Sequence, residues 1–168
     1  MWSCSPSSTT LQSSIDLTVA FSEVIVVPVL SRSEVEQFLA SHQRGVLATL
    51  KSSDGRPQLS NVVYGLRDGR IRVSVTEGRA KTANVRRDPR VSLHVASADF
   101  WTYVVAEGHA DLSPVATHPG DATCQALLAT YEAIRGEVHP DPDEFHAAMV
   151  EDRRLELSFA PARLYPTA

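Results

Sequence analysis

The stretch "GVLATLKSSDGRPQLSNVVYGLRDGRIRVSVT", residues 45–76, contains three runs rich in β-branched residues, separated by "SSDG" and by "RDG". Asp-Gly pairs are typical of tight hairpin turns, so this stretch predicts an antiparallel meander of three strands. In its third run Ile71, Val73 and Val75 alternate with polar residues. Such alternation gives a strand one core-facing side and one polar side.

Three later segments also have the pattern of strands: "RVSLHVA" at 90–96, "WTYVVAEGHADLS" at 101–113 and "RRLELSFAPARLYP" at 153–166. Gly108 lies inside the second of them and predicts a bulge or a sharp bend. The third is expected to form the last strand of the fold.

Helical features occur in four places, one before the first strand and three between later strands. The first predicted helix covers about 33–43, with Ser33 as N-cap and Glu36 completing a capping box. The other three are a short helix in "GRAKTANVRRD" (78–88), a helix at 120–136 with apolar residues at helical spacing, and one in "DPDEFHAAMVED" (141–152). Pro89 ends the second helix, because the residue before a proline disfavours helical geometry.

Together these segments predict an α+β protein built on an antiparallel barrel or strongly curled sheet of about six short strands, with short flanking helices. There is no alternation of strands and helices with a glycine-rich turn after the first strand. This argues against a Rossmann-type dinucleotide site.

The composition fits one globular domain. The chain has 168 residues, of which 43% are hydrophobic and 21% charged. Its first eighteen residues include nine Ser or Thr, and no Lys or Arg precedes Arg32, so the features of a secretory signal or transit peptide are missing. We expect residues 1–30 to be a disordered or atypical extension, with an added strand or packing segment at 17–30, and residues 31–168 to form a single domain.

The two cysteines, Cys4 and Cys124, are far apart and form no CxxC or Cys/His cluster. Neither a disulfide framework nor a zinc site is indicated, and a reducing cytoplasm is the expected location. The segment 17–30 is too short to span a bilayer comfortably, so no membrane association is expected.

The stretch "GRAKTANVRRDPR", residues 78–90, holds five of the sixteen basic residues of a chain whose net charge is -4. A predicted strand ends at Thr76, and the following helix has Arg79 and Lys81 in its first turn. Free backbone N–H groups, the helix dipole and two cations would form an anion site there. A solvated basic helix explains the spacing equally well.

For Arg86, Arg87 and Arg90 the favoured interpretation is pairing with Asp88 and its neighbours rather than a basic groove. Nucleic-acid binding would require a basic domain with interleaved aromatic residues. The net charge is negative, and no aromatic residue occurs between Leu66 and Phe100, so this class is disfavoured.

Polar residues on the second run, Gln58, Ser60 and Asn61, suit a flat heteroaromatic ring, although plain polar-face alternation would also produce them. Trp101 could stack on a ligand or cover the barrel, and the spacing alone favours covering.

No catalytic dyad or nucleophile is evident, so the catalytic residues are unknown. The six histidines show no metal-ligand spacing. Glu107, His109 and Asp111 alternate on one strand face, but a polar barrel exterior explains them better than a metal, and no metal site is predicted.

Four segments resemble, in order and spacing, the split-barrel proteins of the pyridoxamine-phosphate-oxidase-like family, and more narrowly its branch that uses the deazaflavin coenzyme F420. They are "GVLATLKSSDGRPQLSNVVYG" (45–65), "RVSVTEGRAKTANVRRDPRVSLHV" (72–95), "WTYVVAEGHADLS" (101–113) and "MVEDRRLELSFAPARLY" (149–165). The resemblance covers about residues 33–165, and its most specific elements are "RAKTANVRRDPR" and "PQLSN".

The resemblance implies a split β-barrel of the FMN-binding type and a homodimer with cofactor sites at the subunit interface. It assigns the cofactor's phosphate to the helix N-terminus, its ring to two strands, and one further contact to the partner subunit. The phosphate residues would be Arg79, Ala80, Lys81 and Asn84, the ring residues Gln58, Ser60, Asn61, Ser74 and Val75, and the contact from the partner Trp101. Arg86, Arg87 and Arg90 would be candidates for the acidic glutamyl tail.

The activity that the resemblance implies is hydride transfer between C5 of the deazaflavin and a small electron-poor organic substrate. The alternatives are an FMN-dependent oxidase or reductase of the same fold and an F420-binding or storage protein without turnover.

Overall fold

The computed structural model describes residues 30–167, so the extension expected at residues 1–30, except Leu30, lies outside the described residues. The described part contains four helices: α1 (Arg32–Ser41), α2 (Ala80–Arg87), α3 (Ala122–Arg135) and α4 (Pro142–Glu151). Its nine strands are β1 (Arg44–Leu50), β2 (Pro57–Val63), β3 (Gly65–Arg67), β4 (Arg70–Thr76), β5 (Arg90–Ala96), β6 (Tyr103–His109), β7 (Asp111–Leu112), β8 (Arg154–Phe159) and β9 (Arg163–Thr167).

The strands form two antiparallel sheets. The first has the order β2-β1-β5-β6-β9 and the second the order β3-β4-β8-β7. No strand within residues 30–167 belongs to both sheets. The predictions of an α+β fold and of a split-barrel architecture are confirmed, and the strand count exceeds the expected six because β3, β7 and β9 are additional short strands.

The predicted three-stranded meander is wrong in its pairing. β1 and β2 form a hairpin, but the chain then leaves the first sheet at Tyr64, which is fully buried and donates its hydroxyl hydrogen to the Leu39 carbonyl at 2.8 Å. The "RDG" turn joins β3 to β4 in the second sheet. Asp68 and Gly69 have φ values of 54° and 69°, as a type I′ hairpin requires, so the turn was correctly predicted and its strand partner was not.

Gly108 is explained by a close approach rather than a bulge. The β5–β6 ladder continues through the pair Val91 and Gly108. A Cβ at Gly108 would lie 2.7 Å from the carbonyl oxygen of Ala160, so any residue with a side chain would force the backbone at Ala160 to move. The change of sheet comes two residues later, at Ala110, between β6 and β7.

The core lies between the two sheets and is closed by α1. The alternating residues of the third and fourth runs are buried as predicted: Ile71, Val73, Val75, Val91, Leu93 and Val95. Helix α1 begins two residues earlier than expected, because Ser31 and Glu34 form the capping box that was assigned to Ser33 and Glu36. Both pairs have the same spacing, and Glu36 instead forms an ion pair with Arg32.

Helices α3 and α4 cover the second sheet. Asp121 caps α3 through the N–H of Cys124, and Pro142 occupies the first turn of α4 as predicted. The segment predicted as one last strand divides into β8, in the second sheet, and β9, in the first. Within residues 30–167, none of the helices has the length and apolar character to cross a membrane.

Candidate functional site

A groove of about 960 Å³ lies where β2, β4, the start of α2 and the helices α3 and α4 meet. Strands and the start of α2 contribute Asn61, Val62, Val63, Val73, Ser74, Val75, Thr76, Arg79, Lys81 and Arg154. Helices α3 and α4 contribute Leu127, Thr130, Tyr131, Ile134, Arg135, Phe145 and Met149, and Gln43, Arg44 and Glu137 complete the lining.

Three cations, Arg79, Lys81 and Arg154, line one part of this groove. Arg154 pairs with Asp152 at 2.9 Å, whereas Arg79 and Lys81 have no acidic partner in the described part of the chain. The pKa of Lys81 lies below its ordinary value because of desolvation and then because of the positive charges of Arg79 and Arg154. An anion placed here would relieve that repulsion.

The N-terminus of α2 opens at the same place. Its N-cap, Arg79, makes no side-chain cap, and the first turn has no acidic residue. Among the described residues nothing accepts from the backbone N–H groups of Ala80 and Lys81. Thr82 is fully buried and donates to the Thr76 carbonyl at 2.8 Å, which fixes the helix to the end of β4. The free donors are therefore held in a defined orientation beside the two cations.

Glu77 is the carboxylate nearest to this N-terminus in sequence, and it is already engaged. Arg86 binds it in bidentate fashion, with an Nη1 to Oε1 distance of 2.8 Å, and this hydrogen bonding holds the pKa of Glu77 below its ordinary value. Because Glu77 is paired with Arg86, it does not neutralise the charges of Arg79 and Lys81.

The other two arginines of the stretch are also bonded to neighbours. Arg90 pairs with Asp88 at 2.6 Å, and its side-chain hydrogen bond is the main reason that the pKa of Asp88 falls to about 2. Arg87 donates to the carbonyl of Leu50. The interpretation favoured from the sequence, pairing with Asp88 and its neighbours, is confirmed for Arg90.

Of the residues predicted to bind a cofactor, the structure brings Asn61, Ser74, Val75, Arg79 and Lys81 together in the groove. Ala80 lies exposed at the N-terminus of α2. Trp101 does not line the groove and is 81% exposed on the loop between β5 and β6.

Gln58, Ser60 and Asn84 do not line the groove but belong to one hydrogen-bond network around Thr49. Asn84 Nδ2 donates to Thr49 Oγ1 at 3.1 Å, and Thr49 donates to Gln58 Oε1 at 3.2 Å. Gln58 Nε2 in turn donates to Ser60 Oγ at 2.9 Å. Since Thr49 is 1% exposed, this network ties α2 to β1 and β2 from inside the fold. Thr49 was missed from the sequence because it reads as an ordinary strand residue.

A second groove, of about 460 Å³, adjoins the first at the end of β2 and extends over β1 and β5 to His94 and Phe100. Asn61 and Val63 line both grooves. The exposed apolar side chains Leu59 and Val63 on β2, and Phe100 and Trp101 on the neighbouring loop, give this side of the molecule an apolar surface.

The helical wall of the main groove was not predicted as part of the site. The sequence does show the helical spacing of Leu127, Tyr131 and Ile134, but such spacing is the usual sign of core packing. Within residues 30–167 there is no group of three or more His, Cys, Asp or Glu residues that could hold a metal ion. Glu107 accepts from the Tyr165 hydroxyl and Asp111 pairs with Arg70.

These features define a protein with two split antiparallel sheets and a groove in which an open helix N-terminus and two free cations meet. The chain belongs to the pyridoxamine 5′-phosphate oxidase family, whose model matches residues 31–165. The fold is similar to that of the conserved hypothetical protein Rv2991 of Mycobacterium tuberculosis, with 26% identity, a TM-score of 0.69, and coverage of 84% of this chain and 87% of that chain.

Two further solved structures have the same fold. An F420 reductase is 23% identical, with a TM-score of 0.58 and coverage of 77% of this chain and 94% of that chain. An FAD-binding protein from Mesorhizobium loti is 20% identical, with a TM-score of 0.60 and coverage of 85% of this chain and 98% of that chain.

Proposed function

We propose that residues 31–168 form the cofactor domain of a cytoplasmic F420-dependent oxidoreductase, which reduces a small electron-poor organic substrate. The observation that carries the proposal is the open N-terminus of α2 beside Arg79 and Lys81, facing a groove large enough for a cofactor. When bound, the reduced deazaflavin would supply a hydride from C5, and the protein would bind, orient and shield it.

The seat formed by the Arg79 and Lys81 side chains and the N–H groups of Ala80 and Lys81 matches a phosphate group. A phosphate offers several acceptor oxygens and a negative charge, and each charge-assisted hydrogen bond contributes about 1.5–3 kcal/mol. Thr82 orders this helix end before binding, so little conformational freedom remains to be lost.

In this proposal the ring of the cofactor would lie along β2 and β4. Asn61 and Ser74 provide polar side chains there, while the buried side chains of Val73 and Val75 keep the backbone of β4 in position. Gln58, Ser60 and Asn84 would support the site through Thr49 rather than touch the ring.

The phosphate seat does not distinguish F420 from FMN, because both cofactors carry a phosphate. The choice of F420 rests on the resemblance carried by "RAKTANVRRDPR" and on the F420 reductase among the similar folds. FMN remains the alternative, since the family is that of pyridoxamine 5′-phosphate oxidase.

We further propose a homodimer in which the partner subunit covers the apolar surface of Leu59, Val63, Phe100 and Trp101. Exposed apolar residues of this size in one region are typical of an interface. Trp101 would then reach the neighbouring subunit's cofactor. Light scattering tests this: we expect a dimer that Leu59→Asp with Val63→Asp converts to monomers, and a wild-type monomer with full cofactor affinity would contradict it.

The cofactor proposal is tested by fluorescence titration of the purified protein with F420 and with FMN. We expect selective F420 binding that weakens by more than about tenfold in Lys81→Ala and in Arg79→Ala, since a factor of ten corresponds to about 1.4 kcal/mol. Lys51 is the other lysine of the chain and lies exposed in the β1–β2 turn. Lys51→Ala is therefore a matched control and should bind as wild type.

Tighter binding of FMN than of F420 would contradict the choice of F420 and make FMN the cofactor. Equal affinity in the Lys81, Arg79 and Lys51 variants would refute the phosphate seat. Tight binding without reduction of any enone or quinone tested would favour the binding or storage protein over the enzyme.

A further inference from the structure

The helical wall of the main groove contains Thr130 and Arg135 on α3 and five further side chains, which are Leu127, Tyr131 and Ile134 on α3 and Phe145 and Met149 on α4. These last five side chains are apolar or aromatic, and we call them the apolar part of the wall. They belong to elements that contribute nothing to the seat around Arg79 and Lys81, so the wall and the seat are separate parts of one groove.

The two aromatic rings of this wall are held in place by each other and by a histidine. The ring centroids of Tyr131 and Phe145 are 5.4 Å apart with an interplanar angle of 55°. His139 lies 5.0 Å from Tyr131 and 5.2 Å from Phe145, with edge-on geometry to both. Tyr131 and Phe145 are nevertheless only partly buried, so ring surface remains open to the groove.

The wall offers little net charge to an occupant. Arg135, at its rim, pairs with Glu137 at 3.0 Å. The lining cations that have no acidic partner in the described chain, Arg44, Arg79 and Lys81, lie on β1 and at the start of α2 and not on α3 or α4. An anionic compound would therefore bind at the seat, whereas the wall favours an uncharged molecule with extended apolar faces.

We propose that this wall is the binding site of the substrate that accepts the hydride, and that this substrate is a flat, uncharged, conjugated ring compound that stacks on Tyr131 and Phe145. The groove volume of about 960 Å³ lies at the upper end of the range of small-molecule sites, which leaves room for a second ring system beside a cofactor. The role of the bound compound as hydride acceptor rests on the proposed function, but its binding to the wall does not.

The test is calorimetric titration with two probes, 2-acetylnaphthalene and its saturated counterpart 2-acetyldecalin, in the presence and absence of F420. Aromatic contacts contribute about 0.5–1.5 kcal/mol beyond burial, which corresponds to roughly two- to tenfold in affinity. We expect Phe145→Leu and Tyr131→Leu each to lower the affinity for 2-acetylnaphthalene by about five- to tenfold. The affinity for 2-acetyldecalin should fall by less than about twofold.

Two variants serve as controls. Tyr131→Phe keeps the ring and should bind both probes within about twofold of wild type. Phe38, on α1, stacks on His42 away from the groove, so Phe38→Leu removes an equivalent ring without touching the wall and should change neither probe's affinity. Thermal unfolding of each variant verifies that the fold is retained.

Equal losses for the two probes, or no loss for either, would overturn the proposal. A parallel loss of F420 affinity in Phe145→Leu would also overturn it, because the wall would then contact the cofactor. If the protein binds no F420 but discriminates between the probes as described, the proposed function fails while the ring-binding wall stands.

Discussion

Thr130 connects the groove wall to a buried ion pair, and its substitution by valine tests how α3 is held. Thr130 is 2% exposed and donates to Glu156 Oε1 at 2.7 Å, while Arg72 donates to Glu156 Oε2 at 2.7 Å. Valine is close to threonine in shape, so Thr130→Val removes mainly one hydrogen bond to a buried carboxylate. Hydrogen bonds to charged groups contribute about 1.5–3 kcal/mol to stability.

The measurement is urea unfolding at pH 7. With a slope of about 2 kcal/mol per molar urea, the loss corresponds to a midpoint lowered by about 1 M. Thr123, on the same helix, is a matched control because it is 5% exposed and donates to the neutral carbonyl of Pro114 at 3.0 Å. Thr123→Val should cost about 0.5–1.5 kcal/mol. A Thr130→Val cost below about 0.5 kcal/mol, or one no larger than that of Thr123→Val, would refute the assigned role of the Glu156 contact.

Three further predictions concern charge. Arg86→Ala should weaken F420 binding several-fold, although Arg86 does not contact the phosphate in this proposal. The reason is that Glu77, once released from Arg86, can pair with Arg79 and Lys81. Adding Glu77→Gln to this variant should therefore restore the F420 affinity in fluorescence titrations. Phosphate-dependent affinity should decline as pH rises into the alkaline range in wild type, since the pKa of Lys81 is lowered by desolvation and by neighbouring cations, and should stay level in Lys81→Arg. Asp121→Ala should cost about 1–2 kcal/mol through loss of the α3 cap, as measured by chemical unfolding. The pKa of Asp121 is lowered chiefly by the backbone N–H of Thr117, so its stabilising contribution is complete above the ordinary carboxyl pKa and is lost as pH falls below it.

Each of these has a contrary outcome. Unchanged affinity in Arg86→Ala would show that Glu77 does not compete. A pH profile shared by wild type and Lys81→Arg would assign the alkaline loss to another group. If the stability of Asp121→Ala fell with decreasing pH as steeply as that of wild type, Asp121 would not contribute to the pH dependence of stability.

Local chemistry predicted much of the fold. The Asp68-Gly69 turn, the alternation in β4 and β5, and the end of α2 before Pro89 all follow from the geometry of a few adjacent residues. The predicted meander was wrong because an Asp-Gly turn indicates which two strands are joined but not which sheet they enter. Burial of Tyr64, which takes the chain from one sheet to the other, is decided by contacts with distant residues such as Leu39.

The site divides in the same way. Arg79 and Lys81 were predictable because a strand end, a helix start and two cations lie within a few residues. The helical wall was not, because a stripe such as Leu127, Tyr131 and Ile134 looks the same whether it faces a core or a groove. Glu156 alternates with Leu155 and Leu157 in the sequence, but this alternation could not reveal that α3 covers its side of β8 and leaves it 6% exposed.

The central claim is that the start of α2 holds the phosphate of a deazaflavin. A crystal structure of the protein with F420 tests it most directly. We predict the phosphate within about 2.7–3.1 Å of Lys81 Nζ and of the backbone nitrogens of Ala80 and Lys81, with the ring along β2 and β4. A phosphate bound elsewhere, with Lys81 still free of any anion, would contradict the account.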